Sequence, residues 1–313
     1  MSGSRLGPGA EFERIRAIAA ALGDHGGDIG DDCVVVPDGS GALVASTDTS
    51  TEGVHFRLDW ISLEEAGYRS AMAALSDLAA AGATVTGLLA ALSAPRDATG
   101  KQLAEFMKGV GDAVALTGGL VLGGDLTASD AWSATITVLG RAARPLRRKG
   151  ARPGDSLWVT GALGGARAAV QAWLAGNAPD PALRLAFARP EARTTAGVWL
   201  ASHDATAMID LSDGLAGDAG HLAAASGVAI DIDLDLLPVH GAVTEADRAL
   251  FAAAGGEDYE LLVTLPETFT ADQVAGVPLT RLTRIGRVSE GKGVWLLREG
   301  KAVGLPQSYN HFA

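Results

Sequence analysis

The chain has 313 residues, 48% hydrophobic and 5% aromatic, with a formal net charge of −12 and one cysteine, Cys33. That acidity argues against a nucleic-acid partner, which needs a basic surface, and a single cysteine excludes a disulfide framework or a cysteine-type zinc site. No uninterrupted apolar run approaches the roughly 18 residues of a membrane span and residues 1–10 lack the apolar segment of a secretory signal, so a cytoplasmic protein of two aliphatic-cored domains is the expectation.

Apolar residues at Ile15, Ile18, Ala19 and Leu22 predict a helix over Glu11–Leu22. Val34–Val36 and Ala42–Ser46 read as strands split by the turn Pro37-Asp38-Gly39. A long helix follows over Glu64–Ala81 and stops at Gly82; Gly87–Ala94 is a strand ended by Pro95; Lys101–Leu116 is a helix closing at Gly118-Gly119. Leu120–Gly123 and Ser133–Gly140 are strands. Arg141–Asp155 is basic and carries Pro145, Gly150, Pro153 and Gly154, which marks a boundary between domains 1–142 and 143–313. Beyond it come a strand over Ser156–Thr160, helices near Arg167–Ala175, Pro181–Phe187 and Arg193–His203, a strand over Ala207–Asp210, a helix over Leu215–Ala225 and a strand over Ala229–Asp233. Tyr259–Thr264, Thr283–Val288 and Val294–Arg298 complete a second sheet. Strands alternate with helices in both halves, so the fold class is α/β or α+β in two layers.

Six aspartates stand in short, mostly glycine-rich motifs: Asp32 in Gly30-Asp31-Asp32, Asp48 in Ser46-Thr47-Asp48-Thr49, Asp77 in Ser76-Asp77-Leu78, Asp125 in Gly123-Gly124-Asp125, and Asp210 and Asp213 in Asp210-Leu211-Ser212-Asp213-Gly214. Carboxylates that converge repel by about 4 kcal/mol at a separation of about 4 Å and an effective dielectric of 20. Divalent cations would neutralise such a cluster, and hard cations shared between carboxylates and phosphate oxygens belong to phosphoryl transfer. Asp77 shares a helix face with Ala73, Ala74, Ala80 and Ala81, where a carboxylate needs a metal, a backbone amide or an Arg. Gly123 and Gly124 would let the backbone approach a ligand at a strand end. Ser212 or Asp213 could equally be a helix cap. Gly286–Gly293 imitates a phosphate-binding loop but lacks the final Ser/Thr and lies between two strands, so a hairpin turn is expected. Asp231, Asp233 and Asp235 alternate with apolar residues as on the wet face of a strand. Cys33 reads as a buried strand residue.

Taken in order, these motifs resemble the thiamine-monophosphate kinase family. Its run is completed by Glu52–Phe56, Arg152–Asp155, Val159–Gly161, Gly255-Gly256-Glu257-Asp258-Tyr259-Glu260-Leu261 and Tyr309-Asn310-His311-Phe312. Leu126, Ala81 and Ser308 stand where the family usually has Thr, Met and Gly. The resemblance extends to the aminoimidazole ribonucleotide synthetase superfamily and implies an N-terminal metal/ATP-binding domain that dimerises through its sheet, a C-terminal α/β domain and an ATP cleft between them. It implies Mg2+ held by Asp32, Ser46, Thr47, Asp48, Asp77, Asp125, Asp210 and Asp213, with Asp48, Asp77 and Asp210 central to catalysis. It further implies ATP contacts at Gly124, Asp125, Arg148 and Ser212, thiamine monophosphate contacts at His55, Glu257 and Tyr309, and a homodimer. A sister ATP-dependent synthetase is disfavoured because Cys33 is not in a catalytic loop. A non-catalytic nucleotide-binding module is the other alternative.

Overall fold

The computed structural model describes residues 33–37, 41–246, 248–274 and 281–304. The expected helix at Glu11–Leu22, Asp32 and the terminal Tyr309–Phe312 run lie outside them. The first sheet is built from β1 (Val34–Pro37), β2 (Ala42–Thr51), β3 (Thr84–Pro95), β4 (Leu120–Ser129) and β5 (Ser133–Ala142), in the order β1-β2-β5-β3-β4. Its neighbours are antiparallel except β3 and β4. Two helices belong to this half, α1 (Leu63–Ala80) and α2 (Gly100–Leu116). Both begin with a reciprocal cap: Ser62 Oγ accepts from the Glu65 amide at 3.2 Å while Glu65 accepts from the Ser62 amide at 2.9 Å, and Thr99 and Gln102 repeat the device.

Strand alternation decides what each face of this sheet does. Along β2, Ala42, Val44 and Ser50 are buried on the inner face under α1, and Ser46 and Asp48 share it. The odd positions point the other way, where Thr47, Thr49 and Thr51 pair with Thr137, Thr135 and Ser133 at 3.1, 2.9 and 3.0 Å in an exposed hydroxyl ladder.

The second sheet holds β6 (Ser156–Thr160), β7 (Ala207–Asp210), β8 (Ala229–Asp233), β9 (Leu261–Leu265), β10 (Leu282–Ser289), β11 (Gly293–Arg298) and β12 (Lys301–Val303), in the order β12-β11-β8-β10-β6-β9-β7. Its helices are α3 (Gly165–Leu174), α4 (Pro181–Ala188), α5 (Thr194–Ser202), α6 (Leu215–Ser226) and α7 (Arg248–Ala253). One face is filled by Leu157, Val159, Ile209, Ile230 and Leu222; the other, carrying Met208, Trp158 and Val263, packs on Ala79, Ala80 and Leu200.

Helix α1 is therefore the wall between the two sheets. Nearly all of its residues are buried, which is what a helix covered on every side requires. Gly197 of α5 lets the second half close against it, since a Cβ there would stand 2.1 Å from the Ala79 carbonyl oxygen. Among the described residues no helix is long and apolar enough to cross a membrane.

Three sequence expectations are corrected. Ser46–Thr49 does not close its strand, because pairing with β5 continues to Thr51. Gly123-Gly124-Asp125 lies inside β4, not at its end, and a Cβ at Gly124 would meet the Ala90 carbonyl oxygen at 1.9 Å, so strand packing requires that glycine. The Gly286–Gly293 segment is not a hairpin: β10 runs antiparallel to β8 on one side and β11 parallel to it on the other, so β8 separates them.

Candidate active site

The inner face of β2, the middle of α1 and two loops of the second sheet meet at one cleft. Ser46 donates to Asp77 Oδ2 at 2.6 Å, joining β2 to α1. Cys33, buried just ahead of β1, points its thiol at the Asp77 carbonyl oxygen at 3.3 Å. Asp48 stands further along the same face and bonds the Thr49 amide at 2.7 Å.

The second half contributes the segment after β7 and the segment before β9. Buried Asp210 ends β7 opposite Leu261. Main-chain pairing then continues past both strands: Leu211 N donates to Glu260 O at 2.8 Å, Tyr259 N to Leu211 O at 2.9 Å and Glu257 N to Ser212 O at 2.8 Å. The Asp210–Gly214 and Gly255–Glu260 loops are thus zipped into one unit. Glu257 and Tyr259 hold φ of 71° and 50°, a conformation that side chains disfavour and that only a well-determined loop sustains.

Buried Glu260 anchors that unit. It accepts from Thr160 Oγ1 at 2.6 Å and takes a forked pair from Arg193, Nε to Oε2 at 2.8 Å and a terminal nitrogen to Oε1 at 2.6 Å. Gly161, at φ 60°, lies where a Cβ would overlap the Glu260 carboxylate at 1.8 Å. Both oxygens of Asp258 accept the Gly164 amide at 3.0 Å, and burial pushes its carboxyl well above the usual range.

Electrostatics shows which groups face one another. Burial raises the Tyr259 phenol, and the charges of Asp48, Asp210 and Asp213 raise it further against the opposing effect of Arg69. One carboxylate from the first half and two from the second therefore act on a single buried ring. Arg69, on α1, lies over the Phe187 ring at 3.8 Å and the Tyr259 ring at 5.6 Å, donates to the Phe187 carbonyl and is ion-paired with Glu257.

Beside Asp213, Asp218 and His221 of α6 complete a group whose candidate ligand atoms lie within 4.8 Å of one another. Buried Asp218, inside the first turns of α6, reaches back to accept the amides of Asp213 and Gly214 at 3.2 and 3.1 Å and so shapes the loop ahead of the helix. Burial drives His221 down to about 4, helped by the charge of Arg148. The basic stretch is tied here too, since Ser226 Oγ donates to the Arg148 carbonyl at 3.0 Å and accepts the Gly150 amide at 3.1 Å.

Two model families match the chain: AIR synthase related protein, N-terminal domain, over residues 30–142, and AIR synthase related protein, C-terminal domain, over residues 152–296. Thiamine-monophosphate kinase from Aquifex aeolicus is 34% identical over 296 residues, covering 91% of this chain and 92% of that protein. The enzyme of that name from Escherichia coli K12 is 36% identical over 323 residues, covering 96% of each. The chain belongs to the thiamine-monophosphate kinase family. A solved structure, AaThiL complexed with AMPPCP and TMP, matches with a TM-score of 0.87 at 33% identity over 97% of both chains. The hydrogenase maturation protein HypE in complex with ATP, at 17% identity and a TM-score of 0.70, shares the fold.

Not every residue that the family's motifs single out reaches the cleft. The Thr47 hydroxyl is on the opposite face of β2, against Thr137. Asp125 is in register with Ala91, and through it with Thr135 and Thr49, so it lies on the outer face at the far edge of the sheet. Three strand spacings of about 4.8 Å put it roughly 14 Å from β2. Gly124 is exposed on the same edge strand. His55 sits in the turn after β2, where its Nδ1 accepts the Thr51 amide at 3.0 Å and leaves Nε2 as the donor. Asp32 and Tyr309 lie outside the described residues.

Arg69, Asp218, His221, Arg193 and Glu260 went unread as site residues. The available signals were a charge inside the apolar α1 sequence and the Asp-x-x-His spacing at 218–221 that directly follows Asp213. Glu260→Gln should lower the unfolding free energy by about 3 kcal/mol, because it leaves Arg193 short of its buried partner. A denaturant midpoint shift measures this; an unchanged midpoint would show that Glu260 does not anchor the loop.

Proposed function

We propose that the protein phosphorylates thiamine monophosphate to thiamine diphosphate with ATP and Mg2+, by direct in-line transfer. The observation that carries this reading is that Asp77, bonded to Ser46 of β2, lies on the helix that packs against β7, the strand leading into the loop of Asp210 and Asp213, in a chain aligned over 91% of its length with a relative named for that substrate. The donor set fits the metal: Asp48, Asp77, Asp210, Asp213 and the Ser46 hydroxyl offer hard oxygen ligands, whereas the Cys33 thiol is turned to a backbone carbonyl. Bound there, Mg2+ would offset the charge that builds up between donor and acceptor phosphates.

The chain's own groups do the rest. Ser46 orients the Asp77 carboxylate through its 2.6 Å bond. Asp210 and Asp213 are carried on the loop that Asp218 and the Glu257–Glu260 segment hold in shape. Ser212, within that loop, and Arg148, whose carbonyl is bonded by Ser226 of α6, would be the residues to meet ATP. The one-third-exposed Glu257 carboxylate would meet the acceptor at the cleft, and His55, in the turn after β2, is the second residue assigned to it. The acceptor is a phosphate monoester, dianionic above its second pKa of about 6, so it attacks without a general base.

We also infer that the active form is a homodimer and divide the chain at residues 142/143, between the last strand of the first sheet and the first strand of the second. The support for a dimer is β4. Every one of its residues but the last is exposed, including Leu120, Leu122 and Leu126, which a soluble edge strand does not leave open without reason. A second copy laid on this sheet would cover the strand and could carry its Gly124 and Asp125 to the first copy's nucleotide.

Asp48→Asn and Asp77→Asn should each cut turnover by more than about 100-fold with the unfolding midpoint retained, measured as Mg2+-dependent ADP release in the presence of thiamine monophosphate. Full activity in either variant contradicts the metal-cage assignment, and ADP release indifferent to thiamine monophosphate contradicts the acceptor. The double variant Leu120→Asp, Leu122→Asp should sediment as a monomer where the parent sediments as a dimer; a dimer that survives both substitutions would place the interface elsewhere.

A further inference from the structure

Arg69 is 3% exposed and belongs to none of the aspartate motifs. A guanidinium does not deprotonate in a protein interior, so its charge must be met where it sits. Among the described residues its ion-pair partner is Glu257, contributed by the other half of the chain. Its remaining contacts are the carbonyl and ring of Phe187 and the ring of Tyr259, with the charge of Asp48 acting from further off. Glu257 and Tyr259 both belong to the acceptor-side loop. Of the residues assigned to the nucleotide, Gly124 and Asp125 lie on the far sheet edge and Arg148 on the flank of α6, while Ser212 touches this loop through its main-chain carbonyl, which accepts from the Glu257 amide at 2.8 Å, and not through the Glu257 carboxylate.

This arrangement has a physical consequence for Glu257. Its backbone is held in the left-handed region at φ 71°, and its partly exposed carboxylate is paired with the buried Arg69 guanidinium instead of standing as a bare charge. Breaking such a pair from one side leaves the other ion desolvated and alone, which is costly. Arg69, with the Tyr259 hydroxyl that donates to the same carboxylate at 3.4 Å, thus fixes where it points and would keep it from serving as one more ligand to a cation held by the neighbouring aspartates. The open third of the Glu257 side chain, with the Tyr259 ring beside it, is what a cationic heterocycle would meet.

We propose that Arg69 is a positioning residue for the acceptor: through Glu257 it sets the affinity for thiamine monophosphate and leaves the affinity for ATP alone. The proposal rests on the kinase reading above. The test is calorimetric binding of thiamine monophosphate, and separately of a non-hydrolysable ATP analogue with Mg2+, to the full-length protein and to Arg69→Gln, Arg69→Lys, Glu257→Gln and the Arg69→Gln, Glu257→Gln pair. Arg69→Gln should weaken thiamine monophosphate by about tenfold or more and change the ATP analogue by less than about twofold. Arg69→Lys, which keeps the charge but loses the fork, should fall between, and the double variant should bind no worse than Glu257→Gln alone. If Arg69→Gln does not fold, Arg69→Lys carries the test with the same selective loss expected. Equal losses for both ligands, unchanged acceptor affinity in a folded Arg69 variant, or additive losses in the double variant would overturn the proposal while leaving the kinase reading intact. A parent protein that does not bind thiamine monophosphate would overturn both.

Discussion

Negative charge gathered at short range is the constraint on which this structure turns. Asp48 comes from the first half and Asp210 and Asp213 from one segment of the second, yet the charges of all three act on the Tyr259 phenol. Like charges repel more strongly the closer and the drier they are, so the fold must hold these carboxylates in place. It does so with rigid parts. Asp48 is fixed on the inner face of a ten-residue strand, Asp210 ends another strand, and Asp77 is placed on the helix wedged between the sheets. The loop carrying Asp213 has no strand of its own, and it is held instead by the Asp218 carboxylate and by main-chain bonds to the Glu257–Glu260 segment.

The same parts explain why the cleft needs both halves. Helix α1 supplies Asp77 and Arg69 from one stretch of sequence while packing on the first sheet and, through Ala79 and Ala80, on the second. The Arg69–Glu257 pair spans the two halves directly. Beneath it, the forked Arg193–Glu260 pair ties the loop to α5 and β6, with Thr160 as a further donor. Two ion pairs whose acids are three residues apart on one loop point in different directions: the partly exposed Glu257 toward the cleft, the buried Glu260 away from it. An alternating loop of this kind can present one acid to a ligand while spending the other on its own stability.

Much of this was legible in the sequence because it is local. Helical periodicity placed α1 and α2 within a residue or two, and β-rich runs bounded by turns gave β6, β7 and β8 their observed limits. The motifs of Asp48, Asp77 and Asp210–Asp213 lie on segments that meet at the cleft, whereas Gly123-Gly124-Asp125 lies on the outer face of the far edge strand. What stayed hidden depends on partners distant in sequence. Nothing around residues 286–293 reveals that β8 inserts between β10 and β11. The glycines at 123 and 124 suggested a strand end, whereas the neighbouring Ala90 carbonyl demands a glycine in mid-strand. Thr47 and Asp48 are adjacent letters, but strand alternation sends their side chains to opposite faces. Arg69 looks misplaced among Tyr68, Ser70 and Ala71 until Glu257 and Phe187 are seen to surround it. Short elements such as α7 and β12 carry too few residues to show a period.

If these carboxylates form one cation-dependent pocket, a crystal structure of the protein grown with Mn2+, a non-hydrolysable ATP analogue and thiamine monophosphate will show it, with anomalous scattering used to locate the metal. Anomalous peaks are expected within ligand distance of Asp48, Asp77 and Asp210 and of phosphate oxygens. A bound nucleotide with no anomalous density among those three side chains would rule the pocket out.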